Sequence, residues 1–202
     1  YSIPALDLSN TSVDKHVTRT NKSYKRYELT KNGISPRGIP GFGTGLVAVD
    51  SDEHDETGHI TENLDIRIKM VDKRLSKLKL IKKECVRPDL IGSQNYKTLV
   101  IGWGSTYSVI KETVQALKKD DVAFLYFKQV HPLHASTINY LKKAKRLVII
   151  ENNATSQFSK LIKIETGIDI SNRILKYNGL PFSVEELLLK LQKIIGIARK
   201  KS

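Results

Sequence analysis

Cysteine is almost absent from this sequence, since Cys85 is the single one among 202 residues. One thiol excludes an internal disulfide framework and any cysteine-ligated iron–sulfur cluster carried by this chain alone. Long hydrophobic runs are also missing, because no stretch approaches the roughly 18 apolar residues of a membrane helix. The first residues, Tyr1 to Pro4, lack the basic start and apolar run of a secretory signal. These absences predict a cytoplasmic protein that does not enter a membrane.

Positive charge is in clear excess, with 34 Lys and Arg against 21 Asp and Glu and a formal net charge of +13. The excess lies after residue 63. Such a balance is compatible with nucleic acid, an acidic protein or an anionic cofactor as partner, and also with plain solvated helix faces. No aromatic interleaving, helix-turn-helix or zinc pattern accompanies the basic residues, so the sequence does not favour nucleic acid.

The first part of the chain, residues 1–63, is rich in Gly, Ser, Thr, Asp and Asn. Residues 32–45 are especially dense in Gly and Pro, which predicts irregular backbone there. A β-like fragment follows at residues 46–49. Long irregular segments of compact domains are usually functional or lie at an interface. We therefore expect an irregular, β-containing extension with an interface role.

Residues 64–83 have the periodicity of one basic amphipathic helix. The apolar residues that recur at three- and four-residue steps are expected to form its buried face: Leu64, Ile68, Val71, Leu75 and Leu78. Residues 84–96 then contain a Pro and lack periodicity, which predicts a linker.

From residue 97 to 202 short apolar runs alternate with amphipathic helices. Apolar strands are expected at 98–101, 122–130, 146–151 and 173–177, with helices between them. A capping box at Ser183–Glu186 opens the last helix. Nearly continuous apolar strands alternating with helices indicate an α/β fold with an open, mainly parallel sheet covered by helices on both faces.

Two short motifs at strand ends suggest ligand sites but fit them poorly. The run from Gly102 to Tyr107 resembles a dinucleotide fingerprint, yet its third glycine position is Tyr107 and the next strand ends in Lys128-Gln129-Val130-His131 without an acidic residue. A plain strand-to-helix turn is favoured. His131 and His134 follow that strand, where proton transfer is conceivable, but no paired Ser or Cys is recognisable, which favours a loop.

The densest polar cluster spans residues 50–59, with five carboxylates and two histidines. Hard-cation loops and zinc peptidases need their ligands at fixed spacings. This cluster does not have the mid-loop glycine and the terminal glutamate of an EF-hand in register, and the His-Glu-x-x-His order is absent. We therefore predict no metal site, and the cluster judged alone favours a solvated acidic loop.

Four segments in a fixed order carry a family resemblance: Ser35–Gly41, Glu53–Gly58, Arg67–Leu75 and Leu99–Thr106. Together they resemble the alpha subunit of 2-oxoacid:ferredoxin oxidoreductases, particularly the 2-oxoglutarate type. The resemblance covers roughly residues 24–195. Its last segment resembles the start of that subunit's second domain, which is related to the transketolase C-terminal domain.

The resemblance implies a chemistry shared with other subunits. In this family thiamine diphosphate decarboxylates a 2-oxoacid, electrons pass through iron–sulfur clusters to ferredoxin, and coenzyme A takes the acyl group. The thiamine diphosphate lies between an alpha-type domain and a beta subunit. The implied partners are therefore the beta subunit, the rest of the alpha subunit and, indirectly, ferredoxin.

Several family features are missing from this sequence, namely the Tyr-Pro-Ile-Thr-Pro motif, the iron–sulfur cysteines and a Gly-Asp-Gly motif. The resemblance then implies that residues 1–63 are the end of the pyrimidine-binding domain or an interface extension, 64–96 a helix and linker, and 97–202 the transketolase C-terminal-like domain. We expect a structural, interface-forming part of the enzyme that has no catalytic residue, binds no cofactor by itself and is inactive alone.

The loops that carry the resemblance are expected to face a substrate channel or a subunit interface. The residues concerned are Ser35, Arg37, Glu53, His54, Asp55 and Glu56. Arg37 is the candidate for a bidentate contact with a 2-oxoacid carboxylate. The alternative from another functional class is a basic α/β binding module for nucleic acid or an acidic protein partner.

Overall fold

The computed structural model describes residues 14–196, in two compact units: one ends at Lys83 and the next begins at Glu84. Residues 1–13 and 197–202, which include the outer ends of two predicted domains, lie outside the described residues. Within the described part, no helix has both the length and the apolar character that crossing a membrane requires.

Within its described residues, 14–83, the first unit contains two strands, β1 (Val17–Thr20) and β2 (Arg37–Gly43), which pair in parallel with an irregularity between Thr18 and Thr20. The prediction of irregular backbone was therefore wrong for residues 37–43. Glycine at 43 lets the two strands approach closely. Its φ is +120°, and a Cβ there would lie 2.1 Å from the Thr20 carbonyl oxygen. The β-like fragment at 46–49 forms no strand.

Helix α1 (Leu64–Lys83) has the predicted bounds. Asn63 caps its amino end, because the Asn63 side-chain oxygen accepts hydrogen bonds from the backbone N–H of Asp65 (2.9 Å) and Ile66 (3.1 Å). The predicted buried face was wrong: Leu64, Ile68 and Leu75 are 73%, 59% and 60% exposed. The buried residues of α1 are Met70 and Lys73, because the loops of this unit pack on the other side of the helix.

The second unit is built on a five-stranded sheet within the described residues, in the order β3-β5-β4-β6-β7. Strands β4 to β7 are parallel, and the edge strand β3 pairs antiparallel with β5. The prediction of a linker over 84–96 missed β3. The elements are β3 (Asp89–Gly92), β4 (Thr98–Trp103), α2 (Tyr107–Ala116), β5 (Val122–Phe127), α3 (Thr137–Lys143), β6 (Arg146–Glu151), α4 (Gln157–Thr166), β7 (Asn172–Leu175) and α5 (Val184–Ile195).

Alternating strand residues divide the core of this unit into two clusters, as the two-residue period of a strand requires. One cluster includes Val100, Phe124 and Ile150 and packs against α2 and α5. The other includes Leu99, Leu125 and Ile149 and packs against α3 and α4. The prediction of an α/β fold with helices on both faces of a mainly parallel sheet is confirmed.

The chain reverses its direction of winding at the centre of the sheet. From β4 the chain crosses to β5 on one side and later returns to β6 on the other side. Neighbouring strands β4 and β6 therefore lead into loops that diverge, which opens a crevice at their carboxyl ends. Open α/β sheets place ligands at this kind of crevice.

Candidate functional site

Ser35 is fixed to helix α1 by a buried lysine. The Nζ of Lys73 donates hydrogen bonds to the Tyr27 carbonyl oxygen (2.9 Å) and to the Ser35 hydroxyl. That hydroxyl in turn donates to the carbonyl oxygen of Glu28 (2.9 Å). Since Lys73 is only 8% exposed, these three contacts hold the start of the Ser35–Gly41 segment against the helix.

The environment of Lys73 disfavours its charge. Burial is the main cause and the neighbouring cations Lys77 and Arg26 add to it, so that the pKa of Lys73 is lowered to about 8, while Glu56 opposes the shift. A lysine with a lowered pKa is a marker of functional sites, although structural networks produce it too. Here the geometry assigns Lys73 a holding role for Ser35.

Glu53 fastens the acidic loop to the same helix. Its two carboxylate oxygens accept from the guanidinium of Arg74 at 3.0 and 2.9 Å, and Arg67 lies 3.6 Å away. The Arg74 hydrogen bond is the main reason that the pKa of Glu53 is lowered. A bidentate pair of this kind fixes orientation as well as distance.

Glu56 and His54 close the loop onto Tyr27 and its neighbours. The Glu56 carboxylate accepts from the backbone N–H of Leu29 (2.9 Å) and from Lys25 (3.2 Å), and these bonds lower its pKa. The ring of His54 lies 3.8 Å from the ring of Tyr27, centroid to centroid. The acidic loop therefore contacts Lys25, Tyr27 and Leu29 of the 25–29 turn.

Asp55 shapes the turn between these contacts. Its Oδ1 accepts from the backbone N–H of Thr57 (2.8 Å) and Gly58 (3.1 Å) and from the Thr57 hydroxyl, whose hydrogen bond is the main cause of the lowered pKa of Asp55. Glycine is needed at 58 because a Cβ would lie 2.2 Å from the Ala48 carbonyl oxygen. The carboxylates of Glu53, Asp55 and Glu56 thus have separate partners, and residues 14–196 contain no cluster suited to a metal ion.

Arg37 differs from the other five candidates because its side chain is 53% exposed. It stands at the start of β2 and pairs with Asp14 at 3.2 Å. An open depression of about 310 Å³ lies beside the same segment. It is lined by Thr18, Arg19, Asn21, Ser23, Tyr24, Lys25, Glu28 and Pro36.

Four of the six predicted residues therefore lie in one polar network around Tyr27 and α1, namely Ser35, Glu53, His54 and Glu56. Asp55 bonds only within its own loop, and Arg37 lies at the surface. The network also contains Tyr27, which the sequence did not single out, and Lys73, which lies in the resemblance segment Arg67–Leu75 but was given no role of its own. Lys73 is one lysine among many in α1, and its burial depends on loops distant in sequence. No local pattern indicates this role.

The crevice of the second unit is a separate candidate site, a cleft of about 440 Å³. Ser105 and Asn152 line it after the ends of β4 and β6, and the other lining residues are Lys176, Tyr177, Gly179, Leu180 and Pro181. The glycine motif serves packing, because a Cβ at Gly102 would lie 2.3 Å from Ile110 Cδ1. His134 Nδ1 is 2.8 Å from the Ser136 hydroxyl within its own loop.

A buried carboxylate occupies the amino end of α4 next to this crevice. Glu151 is fully buried and accepts hydrogen bonds from the backbone N–H of Phe158 (3.0 Å) and Ser159 (3.1 Å) and from the Ser156 hydroxyl (3.0 Å). Helix amino ends attract anions. At α4 the protein's own Glu151 already fills that place.

Curated proteins of one type are similar in sequence to this chain over both of its units. No protein-family model matches the chain. The alpha subunit of 2-oxoacid:ferredoxin oxidoreductase 1 from Sulfurisphaera tokodaii is 34% identical over 205 residues, which cover 100% of this chain and 32% of that subunit. The chain is a homologue of 2-oxoacid:ferredoxin oxidoreductase alpha subunits. The corresponding subunit from Saccharolobus solfataricus is 31% identical, over 96% of this chain and 32% of its own length.

A solved structure agrees with these sequences. The 2-oxoglutarate:ferredoxin oxidoreductase from Magnetococcus marinus, with 2-oxoglutarate, coenzyme A and succinyl-CoA bound, is similar with a TM-score of 0.78 and 27% identity over 96% of this chain and 34% of that one. The resemblance to oxidoreductase alpha subunits predicted from the sequence is confirmed. The chain spans about a third of the length of the curated relatives it matches.

Proposed function

We propose that this chain forms the C-terminal part of the alpha subunit of a 2-oxoacid:ferredoxin oxidoreductase, which converts a 2-oxoacid to acyl-CoA and reduces ferredoxin. The observation that carries the proposal is the 34% identity with an oxidoreductase alpha subunit over 100% of the chain. The chain's contribution is structural: it supplies interface and substrate-facing surfaces, and the reaction requires the rest of the complex.

The proposed substrate is 2-oxoglutarate. The similar Magnetococcus marinus enzyme has 2-oxoglutarate bound. A dicarboxylate needs cationic partners, and the depression beside Pro36 is lined by Arg19 and Lys25. The Lys25 side chain, which pairs with Glu56 at 3.2 Å, is half-exposed, so this lysine is accessible to an anion from solution.

Arg37 is the proposed contact for a substrate carboxylate. Its guanidinium is exposed and already binds one carboxylate, that of Asp14, at 3.2 Å. If a substrate carboxylate replaces Asp14 as the partner of Arg37, the guanidinium still faces one negative charge and can bind it through two parallel hydrogen bonds. Lys73 and Ser35 hold the preceding residues in place, so the position of Arg37 does not depend on the ligand.

The cofactors are assigned to the remaining parts of the complex. Thiamine diphosphate would supply the decarboxylation chemistry, an iron–sulfur cluster the electron path, and coenzyme A the acyl acceptor. Cys85 is the single cysteine of the sequence, so an iron–sulfur cluster with cysteine ligands does not fit this chain by itself. We assign no residue of this chain to any of the three.

The experiment that tests the proposal is reconstitution. The rate of 2-oxoglutarate-dependent viologen reduction, with thiamine diphosphate and coenzyme A supplied, is measured for the chain alone, for the remaining alpha and beta polypeptides alone, and for the mixture. We expect turnover in the mixture only. Turnover by the chain alone would contradict the structural role. An inactive mixture of folded partners, together with salt-sensitive binding of the chain to duplex DNA, would favour the basic binding module.

The role of Arg37 is tested in the same reconstituted enzyme. Arg37→Ala should raise KM for 2-oxoglutarate by about tenfold or more, since a charged hydrogen bond contributes about 1.5–3 kcal/mol. Arg37→Lys should recover only part of this effect because it lacks the fork geometry. Arg146→Ala, at an exposed position of the second unit, is the matched control. An unchanged KM in Arg37→Ala would remove the assignment.

A further inference from the structure

The backbone of Arg37 is held on both edges of strand β2. Its own N–H donates a hydrogen bond to the His16 carbonyl oxygen (2.7 Å), just before β1. The peptide groups on either side of Arg37 instead bond the hydroxyl of Tyr24. That hydroxyl donates to the Pro36 carbonyl oxygen (3.0 Å) and accepts from the Gly38 N–H (2.6 Å). One phenol group therefore joins the two peptide planes that meet at the Cα of Arg37.

The Tyr24 hydroxyl takes the place of a neighbouring strand. Among the described residues β2 pairs with β1 alone, and backbone N–H and C=O groups away from water need hydrogen-bond partners. A tyrosine hydroxyl can donate one hydrogen bond and accept another at the same time. It therefore satisfies both the Pro36 carbonyl and the Gly38 N–H, and a phenylalanine at position 24 would satisfy neither.

The bare backbone at Gly38 allows the Tyr24 ring to come this close. A Cβ at Gly38 would lie 2.8 Å from Tyr24 Cζ and 2.4 Å from Thr20 Cγ2. Tyr24 is itself anchored by its backbone N–H, which donates to the Asn21 carbonyl oxygen (3.1 Å). The ring is therefore packed against the residue that follows Arg37, and its hydroxyl has a fixed position.

The guanidinium end of Arg37 has much less support than its backbone. The side chain is 53% exposed, and its ion pair with Asp14 lies at the surface. A long side chain pays to be ordered when it binds a ligand, and fixing its base in advance lowers that cost. The backbone contacts of Arg37 are thus the part of the structure that can aim its side chain.

We propose that Tyr24 is a positioning residue for Arg37, whose guanidinium it aims at a carboxylate of the 2-oxoacid by fixing the two adjoining peptide groups. This inference rests on the proposed role of Arg37, whereas the two hydrogen bonds of the hydroxyl are properties of this chain alone. Tyr24 also lines the depression beside Pro36. The test therefore separates action through Arg37 from a direct contact between Tyr24 and the substrate.

The test measures kcat and KM for 2-oxoglutarate in the reconstituted enzyme. The forms compared are the unchanged chain, Tyr24→Phe, Arg37→Ala and the double variant. Tyr24→Phe removes the hydroxyl and keeps the ring beside Gly38. The matched control is Tyr96→Phe, which also removes a tyrosine hydroxyl that donates to a backbone carbonyl oxygen at 3.0 Å, that of Tyr140 in the second unit.

We expect Tyr24→Phe to raise KM by about three- to tenfold and to change kcat by less than about twofold, since a poorly aimed Arg37 weakens substrate binding. In the Arg37→Ala background the same change should raise KM no further, because residues that act as one unit are not additive. Tyr96→Phe should leave KM unchanged. A structural role alone would reduce the amount of active enzyme, which lowers the measured kcat and leaves KM as it is.

Two results of this cycle overturn the inference and leave the role of Arg37 intact. One is an unchanged KM in Tyr24→Phe where Arg37→Ala raises it. The other is an equal rise from Tyr24→Phe in both backgrounds, because Tyr24 then acts on the substrate by itself. An unchanged KM in Arg37→Ala removes the substrate contact and, with it, this role of Tyr24.

A second measurement on the chain alone does not depend on turnover. The NMR order parameters of the Arg37 and Gly38 backbone N–H groups should fall from about 0.85 to about 0.6 or lower in Tyr24→Phe, and should not change in Tyr96→Phe. Unchanged values in Tyr24→Phe overturn the inference even if the reconstituted enzyme is active. An inactive mixture of folded partners rejects the oxidoreductase assignment and this role of Tyr24 together, even if the order parameters fall.

Discussion

Different kinds of interaction stabilise the inside of each of the two units of this chain. Among the described residues of the first unit, Met70 is the only fully buried apolar side chain. The close contacts of this unit are instead hydrogen bonds and ion pairs around Tyr27 and Lys73. All the other buried apolar residues lie in the second unit, in two clusters on the faces of its sheet.

This difference teaches where each unit obtains its stability. Apolar burial contributes about 25 cal/mol per Å², whereas exposed ion pairs contribute about 0–1 kcal/mol each. The second unit therefore has the interactions of an independently stable domain. The first has too few, and we expect it to depend on surfaces supplied by partners. Binding sites are commonly drawn from such low-stability regions.

The largest expected effect is truncation of the second core. Phe124→Ala removes a fully buried ring and should lower the free energy of unfolding of the second unit by about 3–5 kcal/mol. Urea denaturation followed by the fluorescence of Trp103, the single tryptophan, measures it. Ile164→Ala, at an exposed position, should change it by no more than about 0.5 kcal/mol. Equal effects of the two variants would contradict the assigned core.

The next effect concerns a glycine of the first unit. Gly43→Ala would place a Cβ 2.1 Å from the Thr20 carbonyl oxygen at a φ of +120°, so β1 and β2 must separate. We expect a loss of about 1–3 kcal/mol in the first unit, measured by hydrogen exchange of residues 14–83. Gly41→Ala is the matched control, because its φ is also positive but a Cβ there meets nothing within 4 Å. If the control is equally harmful, the Thr20 contact does not decide the effect.

A smaller effect concerns acid. The pKa of Glu53 is lowered in the folded protein, chiefly by the hydrogen bond from Arg74. Its contribution is therefore present above the unfolded pKa of about 4.3 and is lost as pH falls through the lowered folded value. Glu53→Gln should weaken hydrogen-exchange protection of the 50–59 loop at neutral pH and make that protection less sensitive to acid. Glu62→Gln, at an exposed position, should leave both unchanged. A pH profile unaffected by Glu53→Gln would remove this role.

The smallest effect lies in the alkaline range. The pKa of Lys73 is lowered to about 8 by burial, so between about pH 8 and 10.4 the folded chain binds fewer protons than the unfolded chain. Stability of the first unit should therefore rise with pH in this window through this group. Lys73→Met should abolish the rise, whereas Lys69→Met, at an exposed position of the same helix, should keep it. The readout is the pH dependence of hydrogen exchange in residues 25–37. A rise that persists in Lys73→Met contradicts the assignment.

The contrast between the units also explains what the sequence could predict. Runs such as Leu99-Val100-Ile101 report a strand covered on both faces, and Ser183 marks the start of α5 because its side chain accepts from the Glu186 backbone N–H. Fold and topology class of the second unit follow from such local signals. The resemblance to oxidoreductase alpha subunits could also be predicted from the sequence, because four motifs occur in a fixed order.

The first unit was harder to predict because its contacts are distant in sequence. Burial of Lys73 depends on Tyr27 and Ser35, which lie 46 and 38 residues away. The apolar period of α1 was recognised, but a period alone does not say whether a core or a partner covers it. For the same reason the exposed Ile68 and Leu75 were expected inside.

Hydrogen exchange of residues 14–83, with and without the remaining alpha and beta polypeptides of the oxidoreductase, tests most directly whether the first unit is completed by partners. We expect amides of this unit to exchange at least about tenfold more slowly in the complex, equivalent to about 1.4 kcal/mol, while amides of β4 and β6 stay unchanged. Equal protection of the first unit in both samples, with the complex formed, would show that it is complete by itself and would contradict its assignment as an interface.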